Sequence, residues 1–161
     1  MNKLSIDKIN ANSPYKVFES GSALFFETEQ GIKYRIDFTE EFPMGGCESY
    51  QFMFSKLTLD HAPFDVQIRQ TLVSVIKEFF RVNHNIMLYI CDTSDRREAS
   101  RSRLFARWFQ QFAEEEAYEF HSASATVEGE GFYAAIIVER DNPMLVSIVE
   151  DFNNTAKELT K

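Results

Sequence analysis

The run Ile86-Met87-Leu88-Tyr89-Ile90-Cys91 decides the fold. Six consecutive, largely apolar residues bounded by polar ones read as a strand covered on both faces. Before it, apolar residues recur at Ile68, Leu72, Val75, Ile76, Phe79 and Phe80, one face of a helix from Asp65 to Val82. After it, Leu104, Phe105, Trp108, Phe109 and Phe112 mark the sheet-facing side of a second helix, Arg96 to about Ala117. Asp95 and Glu98 have the spacing of a capping box, so Asp95 is its N-cap.

Strands lie outward on both sides of this centre. Leu24 to Thr28 and Lys33 to Phe38 form a hairpin about Glu29-Gln30-Gly31, and Tyr34, Ile36 and Phe38 alternate with charged residues. A Pro43-Met44-Gly45-Gly46 loop leads to a third strand, Tyr50 to Leu57. Beyond the second helix, Tyr118 to Val127 and Phe132 to Glu139 form a pair joined by Glu128-Gly129-Glu130-Gly131. A last helix starts at Asn142 as N-cap, with Pro143 first inside and Leu145, Ile148, Val149, Phe152 and Ala156 as its buried stripe. The order β-β-β-α-β-α-β-β-α is that of an α+β fold with a mixed sheet of about six strands and three helices. Residues 1–14 read as a loose leader, and 15–161 as one α+β domain without a linker.

Composition narrows the class. At 161 residues, with 44% hydrophobic and 26% charged, the chain is an ordinary globular domain. Its 16 Phe and 6 Tyr supply enough apolar area for a core without disulfides. Cys47 and Cys91 are too few for a disulfide framework or a metal knuckle. Met1 to Asn12 lacks the apolar segment of a secretory signal, and no apolar run is long enough to cross a bilayer. The expected compartment is the cytoplasm. A net charge of -8 repels nucleic acid and anionic lipid, so neither is an expected partner.

One basic cluster departs from that balance: five arginines fall between Arg96 and Arg107. On a helix, Arg96, Arg103 and Arg107 share the solvated side, while Arg97 and Arg101 project with Leu104 and Trp108. Desolvating a guanidinium costs several kcal/mol unless it is paired. Arg97 and Arg101 therefore call for carboxylates such as Asp60, Asp65 or Asp92, or for a bound anion where helix N–H groups converge. The candidate anion site is Arg97, Arg101, Asp92 and Tyr89. A nucleic-acid role for the outer arginines is opposed by Glu114, Glu115 and Glu116 on the same helix.

Other chemistry fails on spacing. Cys91 to Arg97 satisfies C-x5-R, but Asp92-Thr93-Ser94-Asp95-Arg96 has no glycine for close approach and places two carboxylates against a dianion. His61, His84 and His121 are scattered, which leaves no metal site, and no G-x-S-x-G, GxGxxG or P-loop occurs. No catalytic residue and no cofactor are assigned. The adjacent aromatics Phe79-Phe80, Trp108-Phe109 and Phe132-Tyr133 read as a two-layer core, or as a patch for a protein partner or a homodimer.

Two resemblances follow from these residues. Tyr89 to Asp95, continuing through Arg101-Ser102-Arg103-Leu104-Phe105-Ala106-Arg107-Trp108-Phe109, resembles the signature of a bacterial family of small uncharacterised proteins, which implies no particular activity. The element order is similar to the later two-thirds of the Gcn5-related acetyltransferase fold, whose first such helix opens with the Q/R-x-x-G-x-G/A motif for coenzyme A pyrophosphate. Here Phe64-Asp65-Val66-Gln67-Ile68-Arg69-Gln70-Thr71-Leu72 has no glycine, Gln67 and Arg69 stand where small residues belong, and Asp65 opposes the pyrophosphate. Two functions follow as expectations: a non-enzymatic interaction or regulatory domain, or a diverged acyltransferase-like enzyme or small-anion binder at the start of the arginine helix.

Overall fold

The computed structural model describes residues 1–58, 65–92 and 96–159, without the side chains of 92 and 96–102. Its elements are α1 (Ile6–Asn12), β1 (Phe18–Ser20), β2 (Ala23–Glu27), β3 (Lys33–Met44), β4 (Cys47–Lys56), α2 (Val66–Val82), β5 (Ile86–Asp92), α3 (Arg96–Glu115), β6 (Tyr118–Val127), β7 (Glu130–Glu139) and α4 (Leu145–Leu159). The fold is α+β, with a mixed seven-stranded sheet in the order β1-β2-β3-β4-β5-β7-β6. β4 and β5 run parallel, Ser49 to Gln51 beside Ile86 to Leu88, as the α2 crossover between them requires. β5–β7 and β6–β7 are antiparallel. The chain divides into two compact units, Met1–Thr39 with Phe52–His84, and Glu40–Gln51 with Asn85–Lys161.

In the first unit the expected apolar face of α2 is buried throughout. Asp65 caps that helix, its Oδ1 accepting from Ile68 N at 2.7 Å, while Oδ2 accepts from the Tyr15 hydroxyl at 2.7 Å. Burial and this carboxylate push the Tyr15 hydroxyl up to about 12. The rings of Tyr15, Phe26, Tyr34 and Phe54 stack in succession, and Phe38 lies parallel to Phe79 at 5.1 Å. Phe79 and Phe80 are both buried, so this pair belongs to the core.

The stretch expected as a loose leader carries α1, capped by Ser5 and burying Leu4 and Ile9. At seven residues the helix is too short to hold by propensity, and tertiary bonds fix it. Ser5 N donates to Glu78 Oε1 at 3.1 Å, and Asn2 N to Asn83 Oδ1 at 2.7 Å. Farther on, Asn10 reaches Val17: Val17 N donates to Asn10 Oδ1 at 2.7 Å, and Asn10 Nδ2 to Val17 O at 2.8 Å.

In the second unit Cys47, Ile86, Leu88, Ile136, Val138, Ile148 and Phe152 form the buried cluster. The expected loop at Pro43 to Gly46 is shorter than the composition implied. β3 runs through Met44, and Gly45 and Gly46, with φ of +57° and +81°, make a two-residue turn. A Cβ on Gly45 would strike the backbone of Ser147 and Ile148, and its N–H donates to Asp151 Oδ2 at 2.8 Å. Glycine is thus required there twice over, by φ and by space. The last helix begins at Leu145 rather than at the expected Pro143, and Asn142 stands just ahead of it, its Oδ1 accepting from Met144 N at 2.9 Å.

Candidate functional site

The expected anion site lies in the second unit, where β5 ends at Asp92 and α3 begins at Arg96. Residues 93–95, among them the expected cap Asp95, lie outside the described residues, as do Asp60, His61 and the side chains of Asp92, Arg97 and Arg101. Backbone placement puts Arg97 and Arg101 one turn apart in the first half of α3. Tyr89 is described: its ring lies against Phe105 at 6.2 Å and Phe109 at 5.5 Å, so it is built into the packing of α3 on the sheet. Phe105, Phe109, Phe112 and Ala113 complete the buried side of α3, with Arg103 and Arg107 exposed on its outer side. Cys91 Sγ approaches Tyr133 O at 3.7 Å, as a thiol in a strand contact does. Burial raises the Tyr133 hydroxyl, while a hydrogen bond with Ser122 works against that shift.

Asp65, one of the carboxylates expected to pair with the arginines, uses its oxygens on Ile68 N and Tyr15. The first turn of α2 is therefore served by its own carboxylate, and an anion there would compete with it for Ile68 N. His121 Nε2 lies 2.9 Å from Glu119 Oε2 on the same strand. Among the described residues no three of His, Cys, Asp and Glu converge as metal ligands, and no helix is long and apolar enough to cross a membrane.

Sequence reasoning passed over β6. It pairs with β7 in an unbroken register from Tyr118↔Glu139 to Val127↔Glu130. The turn consists of Glu128 and Gly129, with φ of 53° and 82°, rather than the four residues expected. A two-residue turn of this kind makes its flanking pair, Val127↔Glu130, a hydrogen-bonded one. Counting back by twos, the peptide groups of Phe120, Ser122, Ser124 and Thr126 face away from β7. β6 is last in the strand order, and Ser122, Ser124, Thr126 and Val127 are exposed. An open cleft of about 410 Å³ runs along its first half, lined by Gln110 and Glu114 of α3, Tyr118 to His121, and Arg140. Burial, then the charges of Glu139, Glu116 and Asp141, push the Tyr118 hydroxyl up to about 12. The signal in the sequence was a ten-residue strand without Lys or Pro, half of it the small residues Ser122-Ala123-Ser124-Ala125-Thr126. A second apolar feature is Phe42, 87% exposed just before the Gly45-Gly46 turn.

No curated protein and no solved structure matches the chain. The model of the family of unknown function DUF6169 matches residues 64–154, more than half of the chain, from the start of α2 through most of α4 and including all of β6. This chain belongs to that family of unknown function, DUF6169.

Proposed function

We propose that this chain is a non-enzymatic interaction domain whose partner adds a strand along β6. The observation that carries this reading is the regular edge that β6, last in the strand order, presents over ten residues, with no strand paired to its outer side among the described residues. Unpaired N–H and C=O groups spaced along a straight strand are a template for another strand. Affinity in this mode comes from the main chain, and alternate side chains set specificity. The half-buried Phe120 and Tyr118 supply the large anchors, and the small residues beyond them let a second backbone approach. A photo-crosslinking residue at the exposed Thr126, in cells producing the protein, tests the idea. An adduct with a defined polypeptide, lost when Ser124→Pro removes an outward N–H, supports it. Equal labelling from a probe at Arg103 on the outer side of α3 would show that β6 is no special surface.

A second reading is a small-anion site, or a diverged acyltransferase-like centre, at the start of α3. Its support is the succession β5, short connection, α3, with Arg97 and Arg101 one turn apart. The element order from β2 onward also follows the acetyltransferase resemblance. Thermal-shift titration with inorganic phosphate and acyl-coenzyme A tests this reading. Stabilisation that Arg101→Ala abolishes supports it, and no shift with either probe removes it.

A further inference from the structure

We infer that the occupant of the β6 edge is β6 of a second copy, joined antiparallel about a two-fold axis at Ser122–Ala123. This rests on the reading of β6 as a docking edge and adds the identity of the partner. The outward peptide groups belong to even-numbered residues, so two antiparallel copies make hydrogen-bonded pairs only between even positions. The overlap is longest when paired residue numbers sum to about 245, and even–even pairing narrows this to the two neighbouring registers. One pairs Ser122 with itself and Phe120 with Ser124; the other pairs Ala123 with itself and Phe120 with Thr126.

Both registers fit the side chains of this strand. β6 is bulky in its first half, Tyr118-Glu119-Phe120-His121, and small in its second, Ser122-Ala123-Ser124-Ala125-Thr126. Reversing one copy against the other sets Glu119, Phe120 and His121 opposite smaller residues in either register and keeps the large residues of β6 from meeting. Glu119 then faces Ala125 or Val127, so the two like charges stand at opposite ends of the pair. Ser122 lies at or beside the axis and Ser124 falls across from Phe120 or Ser122, on the side of the sheet where hydroxyls are exposed. A surface complementary to its own reverse is what an isologous dimer requires. A foreign strand would have no need of this division into halves.

Sedimentation of the purified chain, with three variants, tests the inference. The wild type sediments as a dimer, and Ser124→Pro as a monomer with unchanged circular dichroism, because the lost N–H lies outside the β6–β7 ladder. Symmetry applies the substitution twice, so the dissociation constant rises about a hundredfold. Under oxidation Ser122→Cys or Ala123→Cys forms a covalent dimer, since self-paired positions lie within disulfide reach, and Val127→Cys does not. The cysteine variants decide the matter even where the proline variant fails to fold. A monomeric wild type, a dimer indifferent to Ser124→Pro, or equal crosslinking at Val127 overturns self-pairing. Were the wild type monomeric while the Thr126 probe still labelled another polypeptide in a Ser124-dependent way, the identity of the partner would be wrong and the docking edge right. With neither dimer nor adduct, both fail.

Discussion

β1 and β6 stand first and last in the strand order, and they are finished by different means. β1 has three residues, and the chain approaches it through Val17, which is fully buried. Both peptide groups of Val17 are held by the side-chain amide of Asn10. A carboxamide carries the same donor and acceptor as a peptide bond, so Asn10 acts as a strand one residue long that ends hydrogen bonding there. Phe18 then stacks on Phe25 of the neighbouring strand. β6 instead runs ten residues in perfect register, with neither bulge, Lys nor Pro. Its hydroxyl side chains are exposed and its outward peptide groups are evenly spaced. Among the described residues, the chemistry that closes an edge is applied at β1 and not at β6.

The comparison breaks most directly at Asn10. Asn10→Ala leaves a buried N–H and a buried C=O without partners, a cost of about 2–4 kcal/mol for two groups. Urea unfolding should show this as a lower midpoint with an unchanged slope, and Asn10→Asp, which keeps the acceptor alone, should fall between. A loss under about 0.5 kcal/mol, the range of ordinary surface substitutions, would mean that water replaces the amide and that β1 is no better closed than β6.

A smaller effect sharpens the contrast by acid. Glu78 holds α1, and hence the helix that carries Asn10, through the bond from Ser5 N. The hydrogen bond from Arg81, foremost, and the one from Ser5 hold its carboxyl below the usual carboxylate range, against the opposing effect of burial. A carboxyl depressed in the folded state gives stability that is present above its unfolded value, about 4.3, and is lost as pH falls through the folded value. Protection of the Val17 amide from hydrogen exchange, taken relative to its intrinsic rate at each pH, should therefore fall on acidification below about 4.3, while amides of β6 bonded to β7 keep their protection. Glu78→Gln should flatten that acid response. An unchanged Val17 profile in the variant would detach Glu78 from the β1 edge.

Much of this was legible from the chain and some was not, for physical reasons. α2, β5 and the β2–β3 hairpin were readable because each carries a periodic or unbroken apolar pattern. α1 and β1 were missed because seven and three residues carry no measurable period, and their order comes from partners such as Asn83 and Glu78, distant in sequence. Pro43 suggested a loop because proline cannot donate to a ladder, yet the strand continues through it to a turn only two glycines wide. In the candidate anion site, Tyr89 was placed on the correct strand, while the three charged side chains of that set lie outside the described residues. The openness of β6 was invisible to periodicity, since a strand reads alike at the centre of a sheet and at its edge. Only the strand order and the turn reveal which peptide groups face outward.

The smallest effect concerns charge at the closed edge. Lys3 Nζ lies 3.9 Å from Glu19 Oε2 on β1, with Lys3 largely in solvent. Exposed pairs of this length couple weakly, because water screens the attraction and ordering a lysine costs entropy. A double-mutant cycle with Lys3→Ala and Glu19→Ala should return a coupling of about 0.5 kcal/mol or less, and neither substitution should alter the oligomeric state. That outcome assigns the closure of β1 to its shortness and to the Asn10 amide, features that act on the backbone itself. A coupling well above about 1 kcal/mol, or association gained when Glu19 is neutralised, would assign it to electrostatics. The contrast with β6 would then be one of charge, and adding a lysine to β6 should close that edge as effectively as a proline.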